Sequence, residues 1–107
     1  MSDTESVAQA QRDFLNSPRI RPWVTEQVRI DRLMADVTDA ALTAAAPKAG
    51  ENVVDIGCGT GTTTLRLAEA VGLGGKVLGV DFSGQQLMLA RQRGCCCWGA
   101  ERRACAG

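Results

Sequence analysis

The sequence predicts an α/β fold with an incomplete parallel sheet, in the order helix, strand, helix, strand, helix. Three observations carry this. Apolar residues recur at helical spacing up to Ala46, then give way twice to short β-branched runs, Asn52–Ile56 and Lys76–Val80. Glycines bound these runs, with Gly50 and Gly57 around the first and Gly75 before the second. A helical pattern, Thr62–Val71, separates the two runs, so a crossover joins the strands and they pair in parallel.

Each element has its own signal. Met1 to Arg12 is polar and reads as a frayed or weakly helical start. Phe14, Leu15, Pro18, Ile20, Pro22 and Trp23 form a proline-interrupted stretch, expected to be a loop carrying buried aromatics, and residues 1–23 form an N-terminal segment. One long helix is expected from Val24 to Ala46, because Ile30, Leu33, Met34, Val37 and Ala41 fall on one face. Pro47 cannot continue it. Asn52–Ile56 reads as a buried strand. In the next helix Leu65, Leu67, Ala68 and Val71 are expected to face inward, and Gly72 ends it. Lys76–Val80 is the second strand, and Ser83 can cap a helix from Gln85 to Arg93 with Leu87, Met88 and Ala90 as its apolar residues. Residues 24–93 thus form a partial domain.

Composition narrows the function. At 107 residues the chain holds one small domain. Twelve Lys and Arg balance twelve Asp and Glu, leaving no basic field to hold nucleic acid. No apolar run approaches the roughly 18 residues of a membrane span, and Met1 to Arg12 lacks the apolar core of a secretory signal, so a cytoplasmic address is expected. With no His, neither a Ser-His nor a Cys-His nucleophile pair can form.

The cysteines suggest no metal site. Cys58 stands alone, Cys95, Cys96 and Cys97 are consecutive, and Cys105 follows. Three adjacent cysteines do not turn two thiolates toward one zinc ion. An odd count without an export signal argues against a disulfide framework. Gly94 to Ala100 also breaks the preceding helical pattern. If the cysteine codons are TGC, reading one base later gives an alanine-rich helix end followed by Gly, as a helix C-terminus should look. The expectation is a reading-frame shift near Arg93, with 94–107 an aberrant tail; the alternative is a genuine but disordered one.

The chemistry lies in Asp55-Ile56-Gly57-Cys58-Gly59-Thr60-Gly61, between the first strand and its helix. Glycines there allow a sharp turn and close backbone approach to a ligand. In open α/β sheets the ligand sits outside the carboxyl ends of the strands, where this loop lies. The second strand ends in Val80-Asp81-Phe82, and an acidic group about 20 residues beyond a glycine loop can accept ribose hydroxyls. The two features imply an adenosine-containing cofactor. A dinucleotide fingerprint would place its third glycine one residue after Gly61, where Thr62 stands, which disfavours an NAD-binding oxidoreductase.

Val53 to Gly61 closely resembles the first motif of the class I S-adenosylmethionine-dependent methyltransferases, and Leu78-Gly79-Val80-Asp81-Phe82-Ser83 is similar to their second. Trp23-Val24, Gln27 and Ile30-Asp31 resemble the lead-in of bacterial members that act on small molecules. The resemblance implies the N-terminal part of a Rossmann-like methyltransferase fold, with S-adenosyl-L-methionine as cofactor. It places Gly57, Gly59 and Gly61 along the methionine portion, Asp55 near its amino group, Asp81 on the ribose hydroxyls and Phe82 against the adenine. Cys58 occupies a position where cysteine is common in such loops, so its thiol need not react. No catalytic residue is implied, and the acceptor is an unidentified small molecule. That family has a seven-stranded sheet, whereas two strands are expected here. The chain alone is therefore expected to be marginally folded, to self-associate through exposed sheet edges and not to turn over. A non-catalytic, partner-dependent fragment is the rival reading.

Overall fold

The computed structural model describes residues 2–99 and 103–104. The N-terminal segment is more ordered than its polarity suggests. Helix α1 spans Asp3–Leu15, opened by a capping box in which Ser2 Oγ accepts from Glu5 N–H and Glu5 accepts from Ser2 N–H. A 3₁₀ turn, Pro18–Ile20, leads into α2, Arg21–Thr25, so the expected loop is helical. Its apolar anchor is the buried Ile20; Phe14 and Trp23 are about half exposed, against the expectation of buried aromatics.

The single long helix is three. Beyond α2 come α3, Gln27–Leu33, and α4, Ala35–Ala45, parted by Glu26 at φ −106°, ψ 23° and Met34 at φ −96°, ψ 3°. Both hinges lie in the sparsely allowed bridge region, which no proline or glycine announces in the sequence. Such one-residue breaks leave the apolar spacing almost intact, so periodicity reads straight through them.

Strand β1, Asn52–Ile56, and β2, Lys76–Val80, pair in parallel, with Asn52 opposite Lys76 and Ile56 opposite Val80. Helix α5, Thr62–Val71, forms the crossover and buries Thr64, Leu67 and Val71; Ala68, expected inside, is exposed. Helix α6, Gly84–Gln92, is capped by Ser83, whose Oγ accepts from Gln86 N–H. Its inward residues are Leu87 and Ala90, while Met88 is exposed.

The sheet extends beyond the two expected strands. Cys97–Trp98 forms a short β3, parallel to β2, and Arg103–Ala104 forms β4, antiparallel to β3, giving the order β1-β2-β3-β4. The start of the tail is packed, since Cys95 and Cys97 are buried with Cys58, Leu87 and Ala90 in one apolar cluster. Residues 100–102 and 105–107 of the expected aberrant tail lie outside the described residues. Among the described residues Cys58, Cys95 and Cys97 are free thiols, and Cys96 is disulfide-bonded.

β1 is a sheet edge, and its expected burial is only half realised. Val53 and Asp55 are partly covered, whereas Val54 and Ile56 on the opposite face are 59% and 84% exposed. The β-branched run specifies a strand meant to be covered on both faces, and only one face is covered here.

Candidate functional site

The glycine loop joins β1 to α5 and is tied to the end of β2. Gly57 and Cys58 both donate their N–H groups to the Val80 carbonyl, at 2.7 and 3.0 Å, and Gly61 N–H donates to Cys58 O at 3.0 Å. Gly57, Gly59 and Gly61 all have positive φ, at 78°, 55° and 91°. The requirement for glycine is sharpest at Gly61, where a Cβ would stand 2.4 Å from Cys95 Sγ as well as in a left-handed conformation. At Gly57 the space a Cβ would enter is open, so the backbone there can meet a ligand.

Asp81 links the loop to the second strand. One carboxylate oxygen accepts from Gly59 N–H at 2.8 Å and the other from Ser83 N–H at 2.8 Å. Each oxygen keeps lone-pair capacity for a further donor, and the two N–H groups hold the carboxylate in one orientation. Ser83 is fully buried, so the turn after Asp81 is firmly placed.

Leu15, Ile56, Gly57, Val80, Asp81, Phe82 and Gln86 line a cavity of about 330 Å³ at the carboxyl ends of β1 and β2. A larger space, about 920 Å³, opens between α2 and α6 and shares Phe82, but neither the glycine loop nor Asp81 reaches it. The smaller cavity is the candidate site.

Gly57, Asp81 and Phe82 thus meet at one cavity, and Gly59 joins them through its bond to Asp81. Phe82 is 47% exposed, leaving ring surface open to a planar partner. Asp55, Cys58 and Gly61 do not line this cavity. Asp55 accepts a hydrogen bond from the Thr64 hydroxyl at 2.7 Å. Burial raises its carboxyl above the ordinary value, the nearby Asp81 charge adds to the rise, and the Thr64 bond opposes it. Cys58 packs against β2 at Gly79, where a Cβ would come within 2.8 Å of its Sγ. Its thiol is pushed up to about 12, first by burial and then by the charges of Asp81 and Asp55. At neutral pH it is a thiol and not a nucleophile.

Several supporting groups escaped the sequence reading. Arg93 donates to Thr60 O at 2.8 Å and to Thr62 Oγ1 at 2.9 Å, while Thr62 Oγ1 donates to Asp31 at 2.6 Å. This polar cluster ties α3 and the end of α6 to the back of the glycine loop. Arg12 lies over the Phe82 ring, 5.7 Å from its centroid, and Asn16 bonds to the backbone on both sides of Ser83. Nothing local marked Asn16, whose loop partners lie more than 60 residues away.

Comparison with known proteins supplies the frame. Residues 47–96 match the family model of a methyltransferase domain. The demethylmenaquinone methyltransferase of Oceanobacillus iheyensis is 50% identical over 46 residues, covering 43% of this chain and 19% of that protein. The chloroplastic 2-phytyl-1,4-beta-naphthoquinone methyltransferase of Arabidopsis thaliana is 48% identical over 46 residues, covering 43% and 18%. The chain therefore spans about a fifth of the length of these relatives. Among solved structures, a SAM-dependent methyltransferase from Aquifex aeolicus superposes with a TM-score of 0.50 at 24% identity, over 78% of this chain and 38% of that one. The likeness is one of fold. The matched stretch holds the glycine loop, β1 and β2, so the region that carries the two motifs is the one similar to a methyltransferase domain.

Proposed function

We propose that this chain carries the cofactor-binding region of an S-adenosyl-L-methionine-dependent methyltransferase whose acceptor is a small molecule of the quinone type. The observation that carries this reading is the Asp81 carboxylate, oriented by Gly59 and Ser83 N–H groups and facing Gly57 across the cavity. The residues fit the cofactor. The space in front of Gly57 accepts a chain against bare backbone, Asp81 has lone pairs for two ribose hydroxyls, and Phe82 offers a half-exposed ring to adenine. Asp55, at the end of β1, would hold the amino group of the methionine end directly or through a bridging water.

When bound, the cofactor supplies a methyl group activated on a sulfonium, and its transfer asks the protein mainly for alignment. This chain's part is to hold. Gly57 to Gly61 present backbone, Asp81 and Phe82 seize the adenosine end, and Arg93 with Asp31 keeps the glycine loop in place from behind. No acid–base pair is assigned. The quinone class is supported by the names of the two relatives above. The balanced charge supports a small acceptor over nucleic acid.

Isothermal titration of the chain with S-adenosylhomocysteine and, separately, NAD tests the reading. Selective binding of the first supports it; equal or preferential binding of NAD sinks it. A second reading, a non-catalytic cofactor binder that works with a partner or a second copy, is favoured by the bare face of Val54 and Ile56. Light scattering that finds a cofactor-binding dimer, with no methyl transfer to any quinone offered, would favour that reading.

A further inference from the structure

Helix α1 is tied to the loop that holds the adenosine end of the site. The Asn16 side chain donates from Nδ2 to the Phe82 carbonyl at 2.9 Å, and its Oδ1 accepts from Gly84 N–H at 2.8 Å. The same amide also donates to Arg12 O in the last turn of α1, at 2.8 Å. One side chain therefore satisfies backbone groups on both flanks of the buried Ser83 and joins them to the end of a helix. A second tether runs beside it, from Gln85 Nε2 to Ser17 O at 2.6 Å. The consequence lies at the cavity: Leu15, next to Asn16, is one of its walls, and Arg12 covers the Phe82 ring.

We propose that Asn16 is a positioning residue that makes α1 part of the cofactor site, locking Phe82 and Gly84 while holding Leu15 and Arg12 over the adenosine pocket. The proposal rests on the cofactor reading above. It assigns the N-terminal segment a direct share in affinity, exerted at the adenosine end. Adenosine and S-adenosylhomocysteine should therefore lose affinity by the same factor when the clamp is removed.

The test uses the full chain and two probes, S-adenosylhomocysteine and adenosine. Asn16→Ala is expected to weaken both about tenfold, as three side-chain hydrogen bonds are lost, two of them to the loop around Ser83. Asn16→Asp has the same shape but lacks the donors, so it is expected to do no better; wild-type affinity in that variant would overturn the clamp. Amide exchange supplies a readout that a space-filling role would not move. S-adenosylhomocysteine should slow exchange across residues 3–15 in the wild type, and Asn16→Ala should abolish that response while far-UV circular dichroism stays unchanged. Asp13→Ala, on the outer face of α1, is the control expected to bind normally. If Asn16→Ala loses its fold, Gln85→Ala, which cuts only the second tether, should still weaken both probes in the same direction. Wild-type binding with protection confined to 55–61 and 81–84, and unchanged binding in Asn16→Ala, overturns the proposal alone. Failure of the wild type to bind either probe overturns the cofactor reading and this proposal with it.

Discussion

Asp81 is where residue chemistry and function meet, because one carboxylate orients the glycine loop and faces the cavity. Asp81→Ala should weaken S-adenosylhomocysteine binding by about 1–3 kcal/mol, the cost of leaving buried partners unpaired; calorimetry that finds wild-type affinity removes Asp81 from the site. Cys58 makes the opposite case. With its thiol pushed up to about 12, it should resist iodoacetamide at pH 8 until the chain is unfolded. Rapid labelling of native Cys58, mapped by mass spectrometry, would contradict its burial. Asp55 ties pH to stability. A carboxyl raised on folding binds its proton more tightly in the folded chain, so its favourable contribution is present at low pH. That contribution is lost as pH rises from 3.8 through the folded value. Asp55→Asn should therefore raise the melting temperature at pH 7 and flatten its dependence on pH above 3.8, and a lowered melting temperature at pH 7 would refute this. At this scale the positions of Gly57, Asp81 and Phe82 at strand ends were legible in the sequence, and the fold brings the three to one cavity. The sequence was silent about Asn16, because its importance comes from partners that only folding brings near.

At the scale of elements, legibility followed how local the determinant is. β1, α5 and β2 have the boundaries that apolar pattern and flanking glycines predicted. The long helix failed because it is interrupted at Glu26 and Met34, with no breaker residue to mark either hinge. α1 was legible only as a weakly helical start; the capping-box spacing of Ser2 and Glu5 is the local signal for its first turn. Two substitutions probe the element ends. Ala46 closes α4 in the left-handed region at φ 46°, where a Cβ costs about 1 kcal/mol, so Ala46→Gly should raise stability by about that much in urea melts. Gly61→Ala puts a Cβ 2.4 Å from Cys95 Sγ at φ 91° and should destabilise by about 1–3 kcal/mol. If Gly61→Ala melts like the wild type, the packing of the loop against α6 is wrong.

For the whole molecule, the uncovered side of the sheet dominates. The radius of gyration is 14.4 Å, against about 13 Å for a compact domain of this length. Val54, Ile56 and the fully exposed Leu73 lie at the surface. An edge strand with bare β-branched residues is a template for association. Ile56→Lys should therefore shift the chain toward monomer in sedimentation experiments, and an unchanged distribution would place the contact elsewhere. The fold class was legible because strand and helix alternate along the chain. The short β3 and β4 were not, since a run of cysteines has no strand periodicity and pairs only because β2 offers its edge. The central claim is that this small α/β unit is a site for S-adenosylmethionine, and titration of wild type and Asp81→Ala with S-adenosylhomocysteine, beside NAD, tests it most directly. Saturable wild-type binding that NAD does not share and Asp81→Ala largely loses is the result expected. Binding of NAD with equal affinity, or none of S-adenosylhomocysteine to the folded chain, would contradict the account.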